Sequence, residues 1–285
     1  MPELAYLNGR ITPIEEAFVH IEDRGYQFGD AVYEVIASYN GKLFCLKEHF
    51  ARLERSMKEL QFPKVDINEI EKAAVDLFSK AKTERAAVYI QISRGASPRN
   101  HSFPANVPVQ TVMTVRKIED KNPSVRETGI SAITVEDFRW GRCDVKTVQL
   151  LPNVLAKQKA LDAGCYDAIF VSREGIVREG SSSNLFIMSG GTLVTHPLTP
   201  EILSGITRMV ILDICREKGY PVKERFFDKS ELFKAAEVFL TGTITEVLPV
   251  VRIDGRPVGD GRVGPVAGKL QKGLLEKLKD NGEKI

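Results

Sequence analysis

The sequence predicts an α+β protein in which strands and helices are segregated along the chain. Three observations lead there. Residues 1–118 read as strands, then two amphipathic helices, then strands; residues 129–285 read as many short strands with a few helices; and residues 119–128 (EDKNPSVRET) are polar, aperiodic and interrupted by a proline. The expected organisation is therefore a smaller N-terminal layered domain (1–118), a linker (119–128) and a larger barrel-like sheet domain with flanking helices (129–285). A chain of 285 residues has room for this, at roughly 150 residues per domain.

Asn8-Gly9, flanked by LAYL and RIT, supplies the two positive φ values of a type I′ turn, so residues 4–12 predict a hairpin. Asn40-Gly41 predicts a second one, joining residues 31–39 to 42–46. Apolar Phe50, Leu53, Met57 and Leu60 recur at helical spacing over 47–60, and Ile67, Ile70, Ala74 and Leu77 do so over 66–80. Strands follow at 86–93 and 109–116. In the second half, strands are expected at 129–136, 143–148, 167–172, 184–188, 192–195, 222–227, 236–241 and 247–253, with helices near 152–163, 205–218 and 265–280. The loop 94–108 (RGASPRNHSFPANVP) is long for a compact domain, and loops of that length without structure of their own are usually functional or disordered.

Composition narrows the partners. Forty basic and 38 acidic side chains leave a net charge of +2, too small to favour nucleic acid or an anionic membrane, so a small molecule is the default ligand. The longest run without charge, Gly180 to Pro200, is rich in serine and glycine and holds two prolines, so no membrane span is expected. MPELAYLNGR lacks the basic and apolar regions of a secretory signal, and a cytoplasmic location is expected. The four cysteines, at 45, 143, 165 and 215, fit neither a redox pair nor a metal knuckle and read as buried, reduced thiols; no metal site is expected.

No GxSxG elbow, Walker loop, HExxH, EF-hand or GxGxxG occurs. What remains is a set of anion-binding elements. Ser204-Gly-Ile-Thr-Arg208 opens the clearest helix of the second half, where the N–H groups of Ile206 and Thr207 could meet a phosphate or Ser204 could simply cap the helix. Thr241-Gly-Thr-Ile-Thr245 leaves a buried strand through a hydroxyl-rich turn, either a second anion nest or a plain glycine turn. Arg52, between Phe50 and Leu53, leans inward on its helix or lies on the surface. In Cys143 to Val148 a strand would set Lys146 opposite Val145 and Thr147. If buried there, its amine would have a depressed pKa and could form a Schiff base with a carbonyl compound; a lysine snorkelling from a strand edge is the alternative.

Six segments occur in order along nearly the whole chain: Asp23 to Glu34 (DRGYQFGDAVYE), Arg94 to Pro104 (RGASPRNHSFP), Arg142 to Lys146 (RCDVK), Asn153 to Gln158 (NVLAKQ), Glu179 to Asn184 (EGSSSN) and Gly205 to Arg208 (GITR). Together they resemble those of D-amino acid aminotransferases, class IV enzymes of fold type IV that depend on pyridoxal 5'-phosphate. The resemblance implies transfer of the amino group of D-alanine to 2-oxoglutarate, giving pyruvate and D-glutamate, by a homodimer with other D-amino acids and 2-oxo acids as substrates. It implies that Lys146 holds the cofactor as an internal aldimine and later moves the proton between Cα and C4′. Glu179 would face the pyridinium nitrogen, while Arg52, Ile206, Thr207 and Thr243 would receive the phosphate. Leu203 would pack on the ring. Tyr33, Arg99 and His101 would trap the substrate α-carboxylate, with the long loop supplied by the neighbouring subunit.

Two departures touch the details. The strand-end turn carries Gly242 and Ile244 where the family often has hydroxyls, so phosphate contacts there would be mainly backbone, and Lys146 is followed by Thr147 where serine is commoner. Branched-chain L-amino acid aminotransferases and aminodeoxychorismate lyases are the alternatives. The former share the lysine, the glutamate and the phosphate residues, and the SPRNHSFP loop favours the D-specific type.

Overall fold

The computed structural model describes residues 3–119 and 124–280, and the chain divides into two compact units. The first holds the chain up to Glu119 together with Val145–Gln149; the second holds the other described residues, through Asp144 and from Leu150 onward. Of the expected linker, residues 120–123 lie outside the described residues, and its remainder contains a short helix.

In the first unit, β1 (Leu4–Leu7) and β2 (Arg10–Pro13) form the first hairpin, followed by α1 (Arg24–Phe28), β3 (Ala31–Tyr39) and β4 (Lys42–Leu43). The turn residues have φ of 48° and 94° at Asn8 and Gly9, and 51° and 75° at Asn40 and Gly41, the left-handed values those dipeptides favour. Next come α2 (Leu46–Glu59), α3 (Ile67–Ala81), β5 (Ala86–Ser93) and β6 (Gln110–Lys117). The six strands form one antiparallel sheet in the order β2-β1-β6-β5-β3-β4. The stripes Phe50, Leu53, Met57 on α2 and Ile70, Ala74, Leu77 on α3 pack against Val32, Ile36, Val88, Ile90 and Met113 of the sheet. Fully burying each such side chain contributes on the order of 1.5–3 kcal/mol.

The second unit runs α4 (Ser124–Thr128), β7 (Ile130–Glu136), α5 (Leu151–Asp162), β8 (Asp167–Val171), β9 (Val177–Gly180), β10 (Asn184–Ser189), β11 (Thr192–Thr195) and α6 (Ile206–Glu217). It ends with β12 (Val222–Glu224), α7 (Lys229–Lys234), β13 (Glu237–Gly242), β14 (Glu246–Ile253), β15 (Arg256–Pro257) and α8 (Pro265–Asp280). Strands β10, β13, β14, β7, β8 and β9 follow one another around a closed barrel, and Asn184 opposite Glu179 joins β9 back to β10. All six send alternate side chains into one core, among them Leu185, Leu240, Leu248, Ala132, Ile169 and Val177. The other face of β8 meets α5 through Ala168 and Phe170 against Ala156 and Ala160, and Phe186 of β10 stacks on Phe239 of β13. No helix among the described residues is long and apolar enough to cross a membrane.

Three expectations are corrected. Residues 143–148 are not a strand: the Thr147 N–H donates to the Val145 carbonyl at 2.9 Å, so the chain curls at Lys146, and only Thr147 makes a bridge, to Val32. Strands β9 and β15, too short to show a period, and helices α1, α4 and α7 were not expected. Of the cysteines only Cys215 is buried; Cys45, Cys143 and Cys165 are half-buried, and all four are free.

Candidate active site

Lys146 sits in the first unit. The curl at 145–147 keeps the alternation a strand would have had: Val145 and Thr147 are buried and Lys146 is half-buried. Its backbone is held on both sides, the carbonyl accepting from the Tyr33 N–H at 3.0 Å and the N–H donating to Ser56 Oγ at 3.3 Å. Its Nζ lies 4.2 Å from the centroid of the Tyr33 ring, and among the described residues no carboxylate forms an ion pair with it.

Behind it lies a charged cluster with no apolar explanation. Arg52 is buried, the inward of the two positions its sequence left open. Its Nε and Nη2 donate to the two oxygens of Glu34 at 2.7 and 2.8 Å, and His49 Nδ1 meets Glu34 Oε2 at 2.7 Å. Burial works to raise the Glu34 pKa, but the Arg52 charge and the hydrogen bonds from Arg52 and His49 outweigh it and bring it down to about 2. Burial also lowers the His49 pKa, against the pull of Glu34, so the ring stays neutral and donates through Nδ1.

Tyr33 is half-buried on β3, its ring tilted against Tyr89 at 5.7 Å between centroids. Arg99 and His101 are exposed on the 94–108 loop and rest against Phe28. Among the described residues no hydrogen bond, ion pair or ring contact joins either of them to Tyr33 or Lys146.

Glu179 lies in the second unit, at the barrel seam. It is buried, and three donors orient it: Arg139 Nη1 to Oε1 at 2.5 Å, Asn184 Nδ2 to Oε2 at 3.0 Å and the Leu203 N–H to Oε2 at 3.1 Å. Asn184 also donates to the Leu203 carbonyl at 2.8 Å, so the peptide ahead of α6 is tied to the seam. Arg139 turns Nε and Nη2 toward Asp137, at 3.0 and 2.8 Å, and its guanidinium stacks 4.2 Å over Phe170. Burial raises the Glu179 pKa; the Arg139 charge opposes this and the Asp137 charge adds to it, and the net direction is up.

The cap of α6 is Gly205, not Ser204, and no side chain caps it. A Cβ at Gly205 would come within 2.0 Å of Asn184 Oδ1, so the helix start can approach the seam only with glycine there. Ile206 and Thr207, the first helical residues, are buried, and Leu203 is half-buried just ahead of them. Thr243 is half-buried in the turn between β13 and β14, and the buried hydroxyls of Thr241 and Ser183 have no hydrogen-bond partner among the described residues.

Glu34, Arg139 and Asn184 had no role in the sequence reading. Glu34 and Asn184 close two of the motifs, whereas Arg139 lies outside all of them; the pattern Asp137-x-Arg139 ahead of the lysine is its one sequence mark. Each unit offers part of what a phosphorylated pyridine aldehyde needs. Lys146 offers an amine free of carboxylates, and Glu179 Oε1, with one donor, can accept another from a ring N–H. The uncapped N–H groups of α6 and the orphan hydroxyls suit a phosphate.

The comparisons agree. Residues 31–253 match the family described as amino-transferase class IV. The chain is 44% identical over 275 residues to the D-alanine aminotransferase of Bacillus licheniformis, covering 95% of each chain, and 44% identical over 270 residues to that of Staphylococcus haemolyticus, covering 94% and 95%. Among solved structures, it is similar to the branched-chain amino acid aminotransferase of Escherichia coli (TM-score 0.92, 28% identity, 100% of this chain and 97% of that one). It is also similar to the T.th. branched-chain amino acid aminotransferase with pyridoxamine 5'-phosphate (TM-score 0.91, 29% identity, 99% and 96%). With a whole-length relative at this identity and a family match over most of its residues, the chain belongs to the class IV aminotransferases.

Proposed function

We propose that the chain is a pyridoxal phosphate-dependent D-amino acid aminotransferase that moves the amino group of D-alanine to 2-oxoglutarate and accepts other D-amino acids. The observation that carries this reading is the 44% identity across 95% of both chains with a protein named D-alanine aminotransferase, against 28% with the branched-chain enzyme of nearly the same fold.

Bound pyridoxal phosphate supplies an electron sink conjugated to the substrate Cα. Lys146 would hold the cofactor through its amine and would be the base that moves the proton between Cα and C4′. Its neighbourhood supports both tasks, with the backbone fixed at two points and the amine over the Tyr33 ring. Glu179 accepts the N–H of the ring nitrogen and keeps it protonated; Arg139, Asn184 and the Leu203 N–H orient its carboxylate for this. Leu203, half-buried ahead of α6, would pack on the ring. Arg52 is held in one orientation by Glu34 and, with the N–H groups of Ile206 and Thr207 and with Thr243, receives the phosphate. Tyr33, Arg99 and His101 receive the carboxylate that every amino and keto acid of the cycle carries.

Arg99 and His101 are exposed and out of contact with Tyr33 in their own chain, which supports a homodimer in which the 94–108 loop serves the partner's site. Mixing inactive Lys146→Ala with impaired Arg99→Ala protomers should then yield a site of parental KM on subunit exchange, because one site of the mixed dimer carries both lesions and the other neither. Heterodimers without such a site would refute it. The activity itself is tested by supplying D-alanine, L-alanine or L-leucine with 2-oxoglutarate. Conversion of the D form alone is expected; preference for L-leucine would favour the branched-chain reading, and product formation without an amino acceptor a lyase.

A further inference from the structure

We propose that Phe28 and Arg24 are positioning residues for Arg99 and His101, holding the carboxylate-binding pair in place before substrate arrives; the inference rests on the carboxylate role given to that pair above. A loop of fifteen residues would ordinarily sample many conformations. This one is tied down at two places, its base and its tip. At its base, Arg94 is buried. Its Nε reaches both oxygens of Asp30 at 3.1 and 2.8 Å, and its Nη groups reach the carbonyls of Gln61 and Leu60 at 2.9 and 2.6 Å. At its tip, the buried Arg24 uses Nε on Asp30 Oδ2 at 2.9 Å and turns its other two nitrogens outward, Nη1 to the Asn100 carbonyl at 2.6 Å and Nη2 to the His101 carbonyl at 3.5 Å. One carboxylate thus anchors two arginines, and the second grips the backbone of the two residues that follow Arg99.

The side chains are held as well as the backbone. The Phe28 ring lies 4.5 Å from Arg99 Cζ, 4.8 Å from Arg24 Cζ and 5.4 Å from the His101 ring centroid. A guanidinium over an aromatic face is attracted to the ring quadrupole, and one ring under both groups sets their spacing. Neither Arg99 nor His101 has a carboxylate partner among the described residues, so the pair is ordered without a counter-anion and keeps its donors for an incoming one. A pair ordered in advance loses less side-chain freedom on binding, and that advantage is lost with the ring.

The test compares Phe28→Leu, Phe28→Tyr and Arg24→Lys with Arg99→Ala in the cofactor-loaded enzyme, reading kcat and KM for D-alanine and for 2-oxoglutarate, pyridoxal phosphate binding by absorbance titration, and Tm. Phe28→Leu is expected to raise both KM values about fivefold to tenfold with kcat within about twofold, because every substrate in the cycle presents the same carboxylate. Cofactor affinity and Tm should stay put. Phe28→Tyr, which keeps the aromatic face, should return KM to within about twofold of the parent. Arg24→Lys, which keeps the charge on Asp30 but loses the fork to Asn100 and His101, should repeat the KM signature and serves if Phe28→Leu fails to fold. An unchanged KM in Phe28→Leu and Arg24→Lys, beside a raised one in Arg99→Ala, overturns the inference and leaves the loop's role standing. A fall in Tm and kcat together, without rescue by tyrosine, makes Phe28 a packing residue and also overturns it. An Arg99→Ala enzyme with normal KM removes the carboxylate role, and the inference with it.

Discussion

Glu34 in the first unit and Glu179 in the second are both buried carboxylates facing an arginine, yet their ionisation is pushed in opposite directions. Burial alone raises both. Arg52 gives Glu34 two hydrogen bonds and His49 a third, and the pKa falls to about 2. Arg139 gives Glu179 a single bond, turns its other two nitrogens to Asp137, and so brings a second negative charge close by; here the pKa rises. Burial outweighs the attraction at Glu179, despite the further bonds from Asn184 and the Leu203 N–H, and is outweighed at Glu34. A carboxylate gripped by both nitrogens of a guanidinium fork is a settled anion that fixes its arginine, whereas one sharing an arginine with another acid still has charge to be balanced. The second kind suits a partner that is itself cationic, such as a protonated ring nitrogen.

The contrast breaks most visibly on removing Glu34. Glu34→Ala strands Arg52 and His49 in the interior, and urea unfolding of the cofactor-free protein should show a loss of about 3–5 kcal/mol. A loss under about 1 kcal/mol would mean that the cluster is solvated. Glu34→Gln sharpens the point through pH. The folded-state pKa lies below the unfolded value of 4.5, so the stabilisation is complete above about pH 4.5 and is lost as pH falls toward 2. The gap between parent and variant should be about 3 kcal/mol at pH 7 and close on acidification. A gap that persists at pH 2 would assign it to packing.

Glu179→Gln should do the reverse. The folded state holds the Glu179 proton more tightly than the unfolded chain does, so its ionisation costs stability as pH rises past the unfolded value, and an amide removes that cost. The cofactor-free variant should be as stable as the parent at pH 7, while the loaded enzyme loses about tenfold to hundredfold in turnover, the worth of one charge-assisted hydrogen bond. Full turnover would make Glu179 a structural seam residue.

Much of the first unit is legible in the sequence because its signals are local. Asn8-Gly9 and Asn40-Gly41 impose their φ values within two residues, and the stripes on α2 and α3 need only a helical period. Arg52 is a partial case: Phe50 and Leu53 beside it left both an inward and a surface position open, and the fold buries it. The site around Glu179 is different. Strand β9 has four residues, and its partners, Ile169 and Asn184, are set by closure of the barrel and not by any periodicity. Arg139 meets Glu179 across 40 positions and Glu34 meets Arg52 across 18, so those pairings appear only once the sheets are folded. Around Lys146 the alternation of buried neighbours was legible, but the curl that produces it was not, since one backbone hydrogen bond leaves no mark in residue types.

The proposed chemistry needs Lys146 to be the amine that anchors the cofactor, and one measurement bears on that directly. The cofactor-loaded protein is treated with borohydride, digested, and the modified peptide mapped by mass spectrometry. A single phosphopyridoxyl adduct on Lys146, absent from Lys146→Ala, is the expected result. An adduct on any other lysine of the parent protein, or labelling that survives in Lys146→Ala, would contradict it.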